Sequence, residues 1–352
     1  MTELVDHHSH GAAAPAGVEG ELGIGTFETL LGAAAGARGR PPAGVTHFDG
    51  PLGRALRRWC PPLLGLDPHC SPALYLARRR ELGGYTATRA LLRGAGIGTY
   101  LVDGDPGAGL RPVGDRPAGG RVVHEIVRLE SLARQVAKTS GSVASFLRNT
   151  AEAVYSAGQN GTAYAVDAAA PAECAREPGS VEVRHAASQL LQRGTLAPAL
   201  VRHLLWAALA TGLPVQLHGG DPYDLDAFID RTEGLGTDLV LIPGPRSPQH
   251  AAAARRAAVH AHVYADAGPE PAEPLRLAPA GKLLFSTGAR ALPELYVVAA
   301  HGFAAALARV ADEWPAAGLC SARDAERMCA AVGAGTARRV YGLRGGGAGS
   351  AG

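Results

Sequence analysis

Leu4-Val5-Asp6-His7-His8-Ser9-His10 is a short apolar lead that runs into a cluster of histidines. Read as a β-strand, it places side chains two apart on one face. His8 and His10 then project together, with Asp6 behind them and His7 turned the other way. Two imidazoles converging at a strand end are a common way to hold a divalent metal. The competing reading is a polar N-terminus that is merely rich in histidine. The sequence that follows weighs against it, because the same unit, a short apolar strand before a helix, recurs along the chain.

Strands are expected near residues 4, 98, 122, 161, 215, 238, 260 and 282, most of them short and apolar, with helical segments between. Ser71-Pro72 reads as an N-cap with proline in the first helical turn. Thr211-Gly212 closes a long helical stretch, and Pro214 introduces the strand Val215-Gln216-Leu217-His218. Strands alternating with helices imply a parallel sheet covered by helices. Eight such units favour an α/β fold of the (β/α)8 TIM-barrel kind over an open sheet. The stretch between the first two strands is too long for one crossover and predicts a helical insertion over about residues 20–95. A single barrel over 1–344 and a glycine-rich tail over 345–352 complete the expected organisation. Loops are expected at 11–20, 36–45, 104–120 and 266–281, where glycine and proline concentrate.

The 352 residues are 47% apolar and 19% charged, which suits a globular chain with a substantial core. Thirty-four basic against 32 acidic residues leave a net charge of +2, so neither nucleic acid nor an anionic membrane is the expected partner. Five cysteines, Cys60, Cys70, Cys174, Cys320 and Cys329, show no CxxC spacing. Reduced thiols in a cytoplasm are the expectation. The first residues carry no signal-peptide pattern, and no uninterrupted apolar run is long enough to span a bilayer.

Barrel enzymes place their chemistry at the C-terminal ends of the strands. Read in that order, the ends offer His8 and His10, then Asp103, then Glu125, Arg128 and Glu130, then Tyr164 and Asp167. Gln216 and His218 follow, then Pro243 and Arg246, Tyr264 and Asp266, and last Ser286-Thr287-Gly288. His218 ends an apolar strand before Gly219-Gly220, and as a third imidazole it would complete a zinc site with an open position. A hydrogen-bonded strand-end histidine is the structural alternative. His260-Ala261-His262 also reads HxH, but it opens its strand, at the end of a barrel that serves stability. The glycine clusters fit neither a dinucleotide turn nor a phosphate loop, and no GxSxG elbow is present.

With Val5-Asp6-His7-His8-Ser9-His10, Val215-Gln216-Leu217-His218, Leu284-Phe285-Ser286 with Leu292-Pro293-Glu294-Leu295, and the closing Thr336–Leu343, the chain resembles the amidohydrolase superfamily. Within it, the chain is similar to the smaller bacterial metal-dependent hydrolases and decarboxylases. It is also similar to the amidohydrolase-like domain that precedes glutamine synthetase in some fungal and plant proteins. The resemblance implies a metal on the HxH pair and a carboxylated lysine or glutamate at the fourth strand. It further implies histidines at the fifth and sixth strands and, at the eighth, an aspartate that takes a proton from the attacking water. This chain departs at Ala163, at Pro243 and at Gly288, where those lysine, histidine and aspartate groups would stand.

The expectation is therefore a divalent metal, zinc first, on His8, His10 and His218, with Asp266 or Asp6 moving protons and Glu125 behind them. Arg128 would hold a substrate carboxylate as a bidentate partner. The reaction would be hydrolysis of a C–N bond in a small molecule, or decarboxylation. Metal-free acid–base chemistry at His218 and a degenerate barrel kept for ligand binding or regulation are the alternatives. Barrels of this kind often pair, which makes a homodimer the expected assembly.

Overall fold

The structure is a computed structural model that describes residues 3–11, 23–39, 41–104, 122–167, 174–244 and 248–343. Most of the loops expected at 11–20 and 104–120, together with Arg246 and the tail 345–352, lie outside the described residues. Two compact units divide the chain: Glu3–Val123 with Ser286–Arg309, and His124–Phe285 with Val310–Gly352.

In the first unit, β1 (Leu4–His10) pairs parallel with β2 (Ile97–Asp103). The register runs from Leu4 opposite Ile97 to His10 opposite Asp103, and it shifts between Asp6 and Ser9. Among the described residues, four α-helices stand between the two strands: α1 (Ile24–Ala34), α2 (Pro51–Leu63), α3 (Pro72–Leu82) and α4 (Gly84–Gly94). The Ser71 side chain caps α3, accepting from the Leu74 amide at 3.2 Å. These helices share a core in which Phe27 stacks on Phe48 at 5.5 Å and meets Tyr75 edge-on.

That core also encloses a charged group. Glu294, fully buried near the start of the long helix Pro293–Ala316, faces Arg79 Nε at 2.9 Å and accepts from the Tyr75 hydroxyl at 2.8 Å. Burial first, and the Glu294 carboxylate second, push the Tyr75 hydroxyl and the Cys60 thiol well above their ordinary values. Both therefore remain neutral beside the ion pair.

The second unit carries β3 (Val122–Arg128, from His124 onward), β4 (Ala163–Asp167), β5 (Val215–His218), β6 (Leu239–Ile242), β7 (Val263–Asp266) and β8 (Leu283–Leu284). Each pairs parallel with the next. The registers put Tyr164, Val215, Leu239 and Val263 at one level. Val215, Leu217, Leu239, Val240 and Leu241 are all essentially inaccessible. Successive residues point to opposite faces, so both faces of these strands are covered, as a parallel sheet between side-chain interior and outer helices requires. Eight parallel strands in chain order, with helices between them, make this the α/β fold of the (β/α)8 barrel.

The helix Pro293–Ala316 is, among the described residues, long and apolar enough to cross a bilayer by length and composition. The sequence shows no uninterrupted apolar run of that length. The helix reaches it only by carrying Glu294, His301 and Arg309 along with its apolar side chains. Tyr296, Val297, Ala300, Phe303 and Leu307 are spent on packing inside the protein.

Three histidines of the second unit give the fold a pH dependence. Burial holds His124, His203 and His262 below the ordinary histidine value, and for His262 the neighbouring His260 adds to the effect. The unfolded chain then binds more protons than the folded one once pH falls through about 6.5, so these groups favour folding above that value and oppose it below. The expected result is a thermal midpoint that declines from about pH 7.5 to about pH 5.5. A midpoint that climbs over the same interval would contradict the assignment.

Candidate active site

In the first unit, the C-terminal ends of β1 and β2 bring together His8, His10 and Asp103. The His8 and His10 rings lie 4.8 Å apart, nearly perpendicular. His10 Nδ1 is 3.8 Å from Asp103 Oδ2, and a ligand atom of His8 lies within 4.8 Å of one on Asp103. His8 and Asp103 are buried, while the His10 side chain keeps 20% of its surface open. The backbone here is fixed by the segment after β8: Gly288 donates to the His8 carbonyl at 3.0 Å, and the His10 amide donates to Ala289 at 2.8 Å. The Tyr296 hydroxyl donates to the His10 carbonyl. Burial, then the Asp6 charge, pushes that hydroxyl far up, which keeps it a donor.

Asp6 Oδ1 accepts from the His8 amide at 3.3 Å. Its carboxylate accepts from the Thr287 amide at 2.9 Å and the Thr287 hydroxyl at 2.6 Å, and it is fully buried. It ties β1 to Thr287. Two imidazoles and a carboxylate together match the nitrogen and oxygen preferences of zinc, iron or manganese, and so fit a divalent cation.

In the second unit, His218 ends β5 with Nδ1 3.0 Å from an Arg128 guanidinium nitrogen and Nε2 3.0 Å from Gln216 Oε1. Gln216 donates onward to the Tyr341 hydroxyl at 2.9 Å. Arg128 also lies 3.8 Å from Glu130, which accepts from the Asp167 amide at 2.7 Å. Asp266, at the end of β7, is buried and accepts from the Gly268 amide at 2.6 Å. Its Oδ1 is 3.6 Å from His250 Nδ1.

His250 is a buried residue that the strand-end candidates do not include. It opens His250–Val259, eight residues beyond the end of β6, where Ile242 and Pro243 stand in place of the expected histidine. Nε2 meets the Gly244 carbonyl at 2.8 Å and Nδ1 the Asp266 carbonyl at 3.1 Å. With one ring nitrogen on each carbonyl, His250 braces the loops after β6 and β7. The signal in the sequence was a histidine just after a strand end that lacks one. Its reach back to Gly244 belongs to tertiary structure.

Gly268 shows how tightly that brace is fitted. Its φ of +64° lies in the left-handed region, and a Cβ there would sit 2.7 Å from the His250 ring. Gly268→Ala is expected to lower stability by about 2 kcal/mol or more, from backbone strain plus overpacking. Urea denaturation checks it; an unchanged midpoint would show that the ring moves aside freely.

Glu125 is exposed on β3, and Asp167 is exposed at the end of β4. The second HxH pair lies before β7: His260 caps the preceding helix and His262 Nε2 meets the Thr232 hydroxyl at 3.1 Å. Lys282 Nζ reaches the carbonyls of His260 and Val263, so this end of the strand is braced by backbone contacts.

No family model matches the chain, and no curated protein matches it. Solved structures do. A protein from Lactobacillus casei described as a metal-dependent hydrolase is similar over 97% of this chain and 96% of its own, with a TM-score of 0.73 and 19% identity. The uronate isomerase of Thermotoga maritima matches over 97% and 94%, with a TM-score of 0.65 and 13% identity. That of Bacillus halodurans matches over 97% and 94%, with 0.62 and 15%. At such identities the likeness carries the fold, and it does so over nearly the whole chain: this is a (β/α)8 protein of the same architecture as those three.

Proposed function

We propose that this chain is a metal-dependent enzyme of amidohydrolase type, with one divalent cation, zinc first, held by His8, His10 and His218 and with Asp103 beside the pair. The observation that carries the reading is the meeting of His8, His10 and Asp103 at neighbouring strand ends. His218 and Asp266 stand at the C-terminal ends of β5 and β7, the strand ends at which barrel enzymes place their chemistry. When bound, the cation supplies Lewis acidity toward a carbonyl or hydroxyl of the substrate. Asp266, held by Gly268 and His250, is the group to accept a proton from water or from a substrate carbon. Arg128 takes a carboxylate of the substrate. A cation held at His218 would compete with Arg128 for Nδ1, which would leave the guanidinium to a substrate carboxylate.

Hydrolysis of a C–N bond in a small carboxylated molecule is the first reaction to test. Aldose–ketose isomerisation of a sugar acid is the second, favoured by the isomerase neighbours. The zinc-loaded protein should be assayed against N-acyl amino acids and dihydropyrimidine-like cyclic amides in one series, and against uronates in another. Turnover in either series that disappears on chelation and returns with zinc supports the reading. Metal-independent turnover removes it, and so does a purified protein that holds less than about a tenth of an equivalent of metal at neutral pH.

A further inference from the structure

His218 stands between two partners that together decide which of its nitrogens bears hydrogen. A guanidinium has only hydrogens to give, so Arg128 at 3.0 Å makes Nδ1 an acceptor. Nε2 then carries the hydrogen and donates to Gln216 Oε1 at 3.0 Å. Gln216 lies two residues before His218 on the same face of β5 and is fully buried. Its amide nitrogen donates to the hydroxyl of Tyr341 at 2.9 Å. Tyr341 follows directly on the closing helix Thr336–Val340 and is itself buried.

We propose that Gln216 and Tyr341 are positioning residues for His218, fixing its ring and its Nε2–H tautomer so that Nδ1 is the nitrogen offered to an incoming cation. The role rests on the reading of His218 as a cation ligand. It becomes necessary when Arg128 withdraws, because the guanidinium then no longer dictates the tautomer and the Gln216 contact remains to do so. Without the Tyr341 hydroxyl, the Gln216 amide nitrogen would lose its buried acceptor, and the amide would be less firmly held with its oxygen toward His218.

The test is a ¹⁵N NMR measurement of histidine tautomers in the full-length, metal-free protein. In Arg128→Met, which mimics the withdrawn guanidinium, His218 is expected to keep hydrogen on Nε2. Adding Gln216→Leu should lower the ratio of Nε2–H to Nδ1–H about tenfold, the loss of one buried hydrogen bond. Should that double variant fail to give a folded spectrum, Arg128→Met with Tyr341→Phe is read instead, and a shift in the same direction is expected. Hydrogen on Nδ1 in Arg128→Met, or an unchanged ratio in the folded double variant, would overturn the proposal. Zinc titration gives the second readout: Gln216→Leu should weaken binding about 10–100-fold, and Gln216→Glu, which still offers an acceptor oxygen, should restore most of it. A wild-type protein that binds no zinc yet shows the tautomer effect would remove the metal reading and leave the positioning of His218 intact.

Discussion

His8→Ala is expected to empty the protein of metal. Purified without a histidine tag and dialysed against buffer at pH 7.5, the wild-type chain should retain close to one equivalent of zinc, and the variant less than about a tenth. A structural zinc site is worth on the order of 10–16 kcal/mol over its ligands, so one imidazole carries about 3 kcal/mol, or roughly a hundredfold in affinity. His10→Ala and His218→Ala should behave alike, and turnover should fall with metal content. His262→Ala is the control. That ring sits before β7 with the Thr232 hydroxyl as partner, so its removal should leave metal content unchanged. Equal retention of zinc in His8→Ala, His218→Ala and wild type would defeat the assignment of the ligands.

Glu294→Ala is expected to produce the largest loss of stability of any single substitution proposed for this chain. Arg79 and the Tyr75 hydroxyl are buried against this one carboxylate. Removing it strands a guanidinium in a core of Phe27 and Tyr75, and breaking a buried ion pair from one side costs about 3–5 kcal/mol. The consequence reaches the site. Glu294 stands one residue into the helix that also carries Tyr296, whose hydroxyl holds the His10 carbonyl. Thermal and urea midpoints of Glu294→Ala, Arg79→Met and the double variant Glu294→Leu with Arg79→Met form the measurement. The double variant should recover much of the loss, since replacing both charges by apolar groups removes the unpaired one. A Glu294→Ala protein as stable as wild type would show that the ion pair contributes nothing net.

The strand ends show how far a linear reading reaches. His8 and His10 were legible as neighbours because a strand has a period of two, and their rings do meet at 4.8 Å. Asp103 was visible as a strand end. Its place beside His10 depends on the parallel register that sets the two residues opposite each other. Asp6 was read as a carboxylate behind the histidines, and it does reach the His8 amide; its bonds to Thr287, more than 280 residues away along the chain, come only with the fold. Gln216 was visible only as a strand-end residue beside His218, and its contact with Tyr341 comes from the fold.

What the amino-acid sequence determined by itself is the alternation: eight short apolar strands, helices between them, and histidines at the ends of the first and fifth. Those are local properties, set by side-chain period, caps and glycine stops, and they need no knowledge of distant partners. Tertiary structure decided the partners. It gave Asp6 to Thr287, His250 to Asp266, and His218 to Arg128 and Gln216. A buried polar group must be satisfied by whatever the fold brings within about 3 Å, and that neighbour is chosen by packing across the whole chain rather than by the residues on either side.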